Sequence, residues 1–274
     1  MKSSVDRRQF AAYAFIAGAM RASGALLPFV ALDAAAAAPA AAGSDGAMID
    51  FDSVYIPPLF LTGAAPKSAG GPARARGALA RLQAQWPALR TRLLAAWPGD
   101  AAWRRTLDSV QGHIAESDRL AARGAWPEAH EALEHVRAAL KKAREARGLD
   151  YALDRFVAFH DPMEHLAAAA TQWTPATLGL AERDQIERLY AEARARWRAV
   201  ESLELEASAL RLTAERETQL RKAMADVSAA LAQVSQALRG DDAAALLKAA
   251  AATKPPFIRA YTAFGLAPGD ALPG

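Results

Sequence analysis

The chain has 274 residues and no cysteine, which excludes disulfides, thiol catalysis, Cys-ligated zinc, iron–sulfur clusters and covalent c-type haem attachment. It is 52% hydrophobic, enough to bury a core, and it is dominated by alanine, leucine, arginine and glutamate, a balance that favours helix over sheet. The formal net charge of +3 comes largely from residues 1–42; the remainder carries 29 basic and 28 acidic side chains, without the electrostatic footprint of a nucleic-acid binder.

Residues 1–42 read as a signal peptide. A short polar start, Met1–Asp6, is followed by Arg7-Arg8-Gln9-Phe10 and the apolar stretches Ala11–Met20 and Ala25–Leu32, with Arg21 between them. The run Ala34–Ala42 then offers small residues for cleavage, among Ala38 to Ala42. No later segment reaches the ~20 apolar residues that a membrane span needs. The paired arginines with Gln9 and Phe10 resemble the twin-arginine (Tat) leader, from which the sequence departs at Asp6 and Ala11. That resemblance implies export of a folded protein to the periplasm or beyond, often with a cofactor already inserted. An ordinary Sec signal carrying Arg-Arg is the alternative.

Residues 43–72 are expected to form an extended linker, because Tyr55-Ile56-Pro57-Pro58-Leu59-Phe60 places two prolines in a row and each restricts the residue before it. The rest, 73–274, reads as an all-α domain, an up-and-down bundle of about six to seven helices. Leu79, Leu82, Trp86, Leu89, Leu93 and Leu94 form a first stripe that ends before Pro98-Gly99. Asp100 is a natural N-cap for a second helix, with Trp103, Leu107, Val110, Ile114 and Leu120 facing inward and Gly124 as its stop. Pro127 opens a third helix that runs to Gly148. A fourth covers about 150–171, two long ones about 180–212 and 214–239, and a short one 241–253, before a helical tail to Phe264. Echoes of Trp86 around Trp197, and of Gly124 at Gly240, suggest two similar helical hairpins; Ala/Arg-rich helices also resemble one another without any repeat. Trp86 and Trp103 read as core anchors, and Trp97, Trp126 and Trp173 as half-buried residues at helix ends.

Four of the five histidines fall in two matching hexapeptides, His130-Glu131-Ala132-Leu133-Glu134-His135 and His160-Asp161-Pro162-Met163-Glu164-His165. On a helix His130 and Glu134 share a face, as do His160 and Glu164. The third and fourth helices, joined through Arg147-Gly148-Leu149-Asp150, should form an antiparallel hairpin with the pairs about one turn apart in height. Two imidazoles and two carboxylates then suit zinc, copper, iron or manganese, with Met163, His135 and His165 as additional candidate ligands. The competing reading makes these residues a solvated face. In it Glu131 and His135 form a surface pair, and Asp161-Pro162-Met163-Glu164 reads as an N-cap, a proline at the first helical position and a glutamate two residues later.

No zinc-protease spacing, ferritin-like Glu-x-x-His pair, G-x-S-x-G elbow, P-loop or G-x-G-x-x-G occurs, so catalysis is the weaker expectation. The bundle resembles soluble b-type cytochromes in architecture only. Their Met-and-His arrangement does not transfer, because no histidine follows His165, and non-covalent haem held by His160 or Met163 with His130 is the lesser cofactor expectation. The sequence therefore supports an exported helical protein that binds a transition metal for storage, sensing or delivery. Its rival is a cofactor-free scaffold that docks an unknown protein partner, with an exposed apolar patch as its mark.

Overall fold

Helical periodicity and local caps set the elements. In the computed structural model, which describes residues 44–67 and 69–265, these are α1 (Ser44–Ala64), α2 (Gly71–Ala96), α3 (Ala101–Ala122), α4 (Trp126–Glu145), α5 (Ala152–Gln172), α6 (Leu180–Glu201), α7 (Ala214–Leu238), α8 (Ala243–Ala251) and α9 (Lys254–Thr262). Among the described residues there is no strand and no helix long and apolar enough to cross a membrane. The fold is an all-α helical bundle. The segment expected to be a signal peptide, residues 1–42, lies outside the described residues.

The predicted linker is a helix. α1 runs through Pro57 and Pro58 without a break. An interior proline costs about 3 kcal/mol. Against that, α1 buries Met48, Phe51, Val54, Tyr55, Ile56 and Leu59, and each large apolar side chain contributes about 1.5–3 kcal/mol. The proline rule describes the local chain correctly. Tertiary burial outweighs it, because α1 is apolar nearly all round and packs against α2, α4 and α9.

From α2 onward the expected helices are present with their expected punctuation. Asp100 caps α3, its Oδ1 accepting from the Trp103 amide at 2.9 Å. Pro127 sits in the first turn of α4, and Gly124 and Gly148 supply the positive φ, 78° and 66°, that reverse the chain after α3 and α4. Asp100 does more than cap: its Oδ2 accepts two hydrogen bonds from Arg147, whose guanidinium lies over the rings of Trp97 and Trp103. Replacing Asp100 by alanine is therefore expected to cost about 1–2 kcal/mol in urea denaturation, with Asp100→Ser recovering the cap's share.

Three further expectations change. The helix predicted over 180–212 ends at Glu201, and residues 202–213 are not helical, with turns at 202 and over 207–211. In Ser202-Leu203-Glu204-Leu205-Glu206 the apolar residues alternate with a period of two, and both leucines rest partly buried against the core. Trp97 and Trp126 are buried rather than half-exposed, since Trp97 packs edge-on against Trp103 at 4.8 Å and Arg76 lies over Trp126. α5 continues through Pro162 without restarting, and Asp161 turns to His160 instead of capping.

α3 packs on α4 and α2, and α5 packs on α6 and α8, but α4 and α5 do not pack closely on each other as a hairpin would. Arginines bridge the space between them: Arg144 of α4 holds Asp154 of α5 at 2.5 and 2.8 Å, and Arg137 of α4 reaches His160 of α5 at 3.0 Å. Tyr55 and Asp52 of α1 add to this polar layer, the first bonding the Leu133 carbonyl at 2.6 Å and the second accepting from Tyr151 at 2.7 Å.

Candidate functional site

The spacing of four and then three residues puts His130, Glu134 and Arg137 on one stripe of α4, and the same logic puts His160 and Glu164 on one stripe of α5. All five belong to one face of the molecule, linked through Arg137. Its Nη2 donates to Glu134 Oε2 and stands 3.0 Å from His160 Nδ1. His130 Nε2 lies 3.5 Å from Glu134 Oε1, and His160 Nε2 lies 3.7 Å from Glu164 Oε1. The second carboxylate oxygen of Glu164 accepts from Lys254, at the start of α9, at 2.7 Å. These side chains are half-buried except for Arg137, which is 7% exposed.

Each ring is held from its other nitrogen. His130 Nδ1 lies 2.7 Å from the Leu59 carbonyl of α1, with the Thr62 hydroxyl at 3.4 Å. Gly63 lets the ring come this close, because a Cβ there would stand 3.2 Å from it. His160 Nδ1 lies 2.8 Å from Asp161 Oδ1, and that hydrogen bond, ahead of any other influence, holds the Asp161 carboxyl below its usual range. Nδ1 of His160 cannot both donate to Asp161 and accept from Arg137. The contact to Asp161 is the shorter, and an ionised carboxylate only accepts, so Nδ1 donates to it. Arg137 then has Glu134 as its acceptor.

Beneath the stripe the ground is polar and buried. Arg137 is penalised by burial, yet Glu134, Tyr261, Tyr55 and Asp161 together hold its proton more tightly than usual. Burial also raises the Tyr55 and Tyr261 hydroxyls above their ordinary range. The other guanidinium nitrogen, Arg137 Nη1, is buried with no hydrogen-bond partner among the described residues.

The four ligands expected from sequence thus lie on one face as two His–Glu pairs, with the Arg137 guanidinium between Glu134 and His160. Among the described residues no three His, Asp or Glu side chains are grouped closely enough to hold an ion. Met163 is fully buried in the hydrophobic core. His135 and His165 are exposed, and His135 stands beside His113, the ring centroids 5.2 Å apart. Arg137, Lys254 and Tyr55 were not anticipated. Arg137 was within reach of sequence reasoning, being three residues after Glu134 and seven after His130; Lys254 and Tyr55 come from distant helices and carry no such signal. Compared with known proteins, the chain matches no family model, no curated protein and no solved structure.

Proposed function

We propose that this protein is exported to the periplasm and there binds a divalent transition-metal ion (zinc, copper, iron or manganese) for storage, sensing or delivery. The ligands are His130, Glu134, His160 and Glu164. The observation that carries this reading is the orientation of the two imidazoles. Each presents Nδ1 to an oxygen acceptor, Leu59 O or Asp161 Oδ1, and turns Nε2 toward a glutamate without closing a hydrogen bond. A histidine that donates from one nitrogen to a carbonyl or carboxylate keeps its lone pair on the other, which is how metal-ligating histidines are held. Binding one ion through all four would require the two pairs to close on each other across Arg137, and α4 and α5, which carry them, are not closely packed together.

The rival docking reading has less to rest on, because Leu180 is the one large apolar side chain exposed among the described residues. Elemental analysis of the mature protein recovered from a bacterial host, followed by calorimetric titration with Zn²⁺, Cu²⁺ and Mn²⁺, tests the proposal. A single stoichiometric site is expected. The His130→Ala, His160→Ala double variant should lose at least about 100-fold in affinity with its helical circular dichroism intact, more than the loss typical of outer-shell partners alone. Protein that stays metal-free after export and after reconstitution would end the metal reading.

A further inference from the structure

Among the described residues the helices fall into two groups. α1, α2, α3 and α4 pack on one another, as do α5 to α9, and the main helix contact between the groups is that of α1 with α9. Several joins run along α1. Phe60 meets Tyr261 of α9 with ring centroids 5.8 Å apart, Gly265 lies against Ile56 and Pro57, and Asp50 pairs with Arg211 of the segment after α6. Where α4 faces α5 the groups are joined instead by polar side chains, Arg144 to Asp154 and Arg137 to His160, with Tyr151 reaching Asp52 beside them. A boundary of that kind permits relative motion.

We infer that the two groups open and close between α4 and α5, pivoting along α1, and that the proton on Asp52 controls the movement by deciding which acid Arg144 holds. This stands apart from the metal reading. Asp52 and Arg144 belong to the first group, Tyr151 and Asp154 to the second. The Arg144 guanidinium lies over the Tyr151 ring, whose hydroxyl donates to Asp52, and it also grips Asp154. One cation thus stands between an acid of its own group and an acid of the other. With Asp52 protonated, Asp154 keeps the guanidinium and the groups stay joined. With Asp52 ionised, Arg144 is drawn back to its own group, and the buried carboxylate gains by reaching water. The other groups acting at Asp52 are Arg137 from α4, Tyr55 on its own helix and Tyr261 from α9. Arg137 stays charged, and burial keeps both hydroxyls protonated through the neutral range. Closed, Asp52 has its pKa pushed up to about 6; opened to water, it returns toward 3.8. Acid therefore closes the boundary and a rise through pH 6 opens it. His160 faces Arg137 across the same boundary, with Asp161 and Glu164 on its own helix, and a proton there adds positive charge beside the guanidinium, the opposite influence.

The absence of cysteine gives a clean test. Glu128 and Gln172 are exposed near the ends of α4 and α5 that lie away from the turn joining these helices, so a Glu128→Cys, Gln172→Cys chain takes one nitroxide label on each. Pulsed electron-spin distance measurements at pH 5 and pH 8, with a chelator present so that metal plays no part, read the separation. A short distance is expected at pH 5 and a longer population at pH 8, the closed-to-open ratio falling about tenfold over that range. Adding Asp52→Asn should hold the short distance at both pH values. Adding Asp154→Asn, which removes the acid across the boundary, should give the longer distance at both, with helical circular dichroism unchanged. If that variant fails to fold, the comparison of the labelled chain with and without Asp52→Asn decides alone. Equal distances at pH 5 and pH 8 in the labelled chain overturn the inference. So does a shift that persists with Asp52→Asn, or a longer distance at the acid end, either of which assigns the response to His160.

Discussion

Arg144→Ala is expected to destabilise the fold by about 3–5 kcal/mol, the cost of breaking a buried ion pair from one side. The side chain is 4% exposed and grips Asp154 through two parallel hydrogen bonds, with its guanidinium 4.6 Å from the centre of the Tyr151 ring. Burial opposes its charge, but the bond to Asp154 and the attraction of Asp154 and Asp52 raise its pKa above that of a free arginine. Truncation leaves the buried Asp52 and the part-buried Asp154 near each other without the guanidinium that lies closest to both. Urea denaturation followed by circular dichroism measures the loss. The double variant Arg144→Met, Asp154→Leu should recover part of it, because of the two carboxylates only Asp52 then remains without the guanidinium. A loss below about 1 kcal/mol in the single variant would mean that water reaches this layer and that the arginines do not hold α4 to α5.

The second large effect concerns Asp52, the buried carboxylate on α1 that accepts from Tyr151. Burial pushes its pKa up from 3.8 to about 6, against the lowering influences of Arg144 and the Tyr151 hydroxyl. The folded state therefore binds this proton more tightly than the unfolded chain. Its contribution is complete below about pH 4, declines as the pH rises through about 6, and is constant above that. Two pKa units correspond to about 3 kcal/mol as an upper figure. Asp52→Asn keeps an oxygen for Tyr151 and carries no charge, so it should be more stable than wild type at pH 7.5 by up to that amount, with the advantage vanishing near pH 4. Carboxylates with lowered pKa, such as Asp100, Asp161 and Asp226, impose the opposite slope on both proteins, so the informative quantity is the difference between the two curves. Parallel curves would show that Asp52 stays ionised at no cost.

The two effects are coupled through geometry. Arg144 is the foremost of the influences that hold Asp52 down, so its removal should raise the Asp52 pKa further and extend the pH-dependent range upward. The layer formed by Asp52, Arg144, Tyr151 and Asp154 lies between α1, α4 and α5, next to the proposed metal site. It sets the separation of α4 and α5 at rest, and changes in it should be read in metal affinity as well as in stability.

The sequence by itself determined the helices from α2 onward and the pairing of histidine with glutamate on single faces. Caps such as Asp100, stops such as Gly124 and the spacing of apolar residues act through neighbours a few positions away, and so do the contacts of His130 with Glu134 and of His160 with Glu164. Tertiary structure alone decided that the proline-bearing segment is a buried helix and that α4 and α5 stand apart. Each is an outcome of competition. Two prolines oppose a helix that buries aromatic and aliphatic side chains on several partners, and the larger sum wins. The separation of α4 from α5 has the same kind of cause. It depends on the length of two buried arginines and on the acids they reach, Glu134 on the same helix and Asp154 on the next, and no local pattern encodes that distance. The histidines were legible because a helix repeats every few residues; the arginine among them acquires its meaning only from what the fold brings to it.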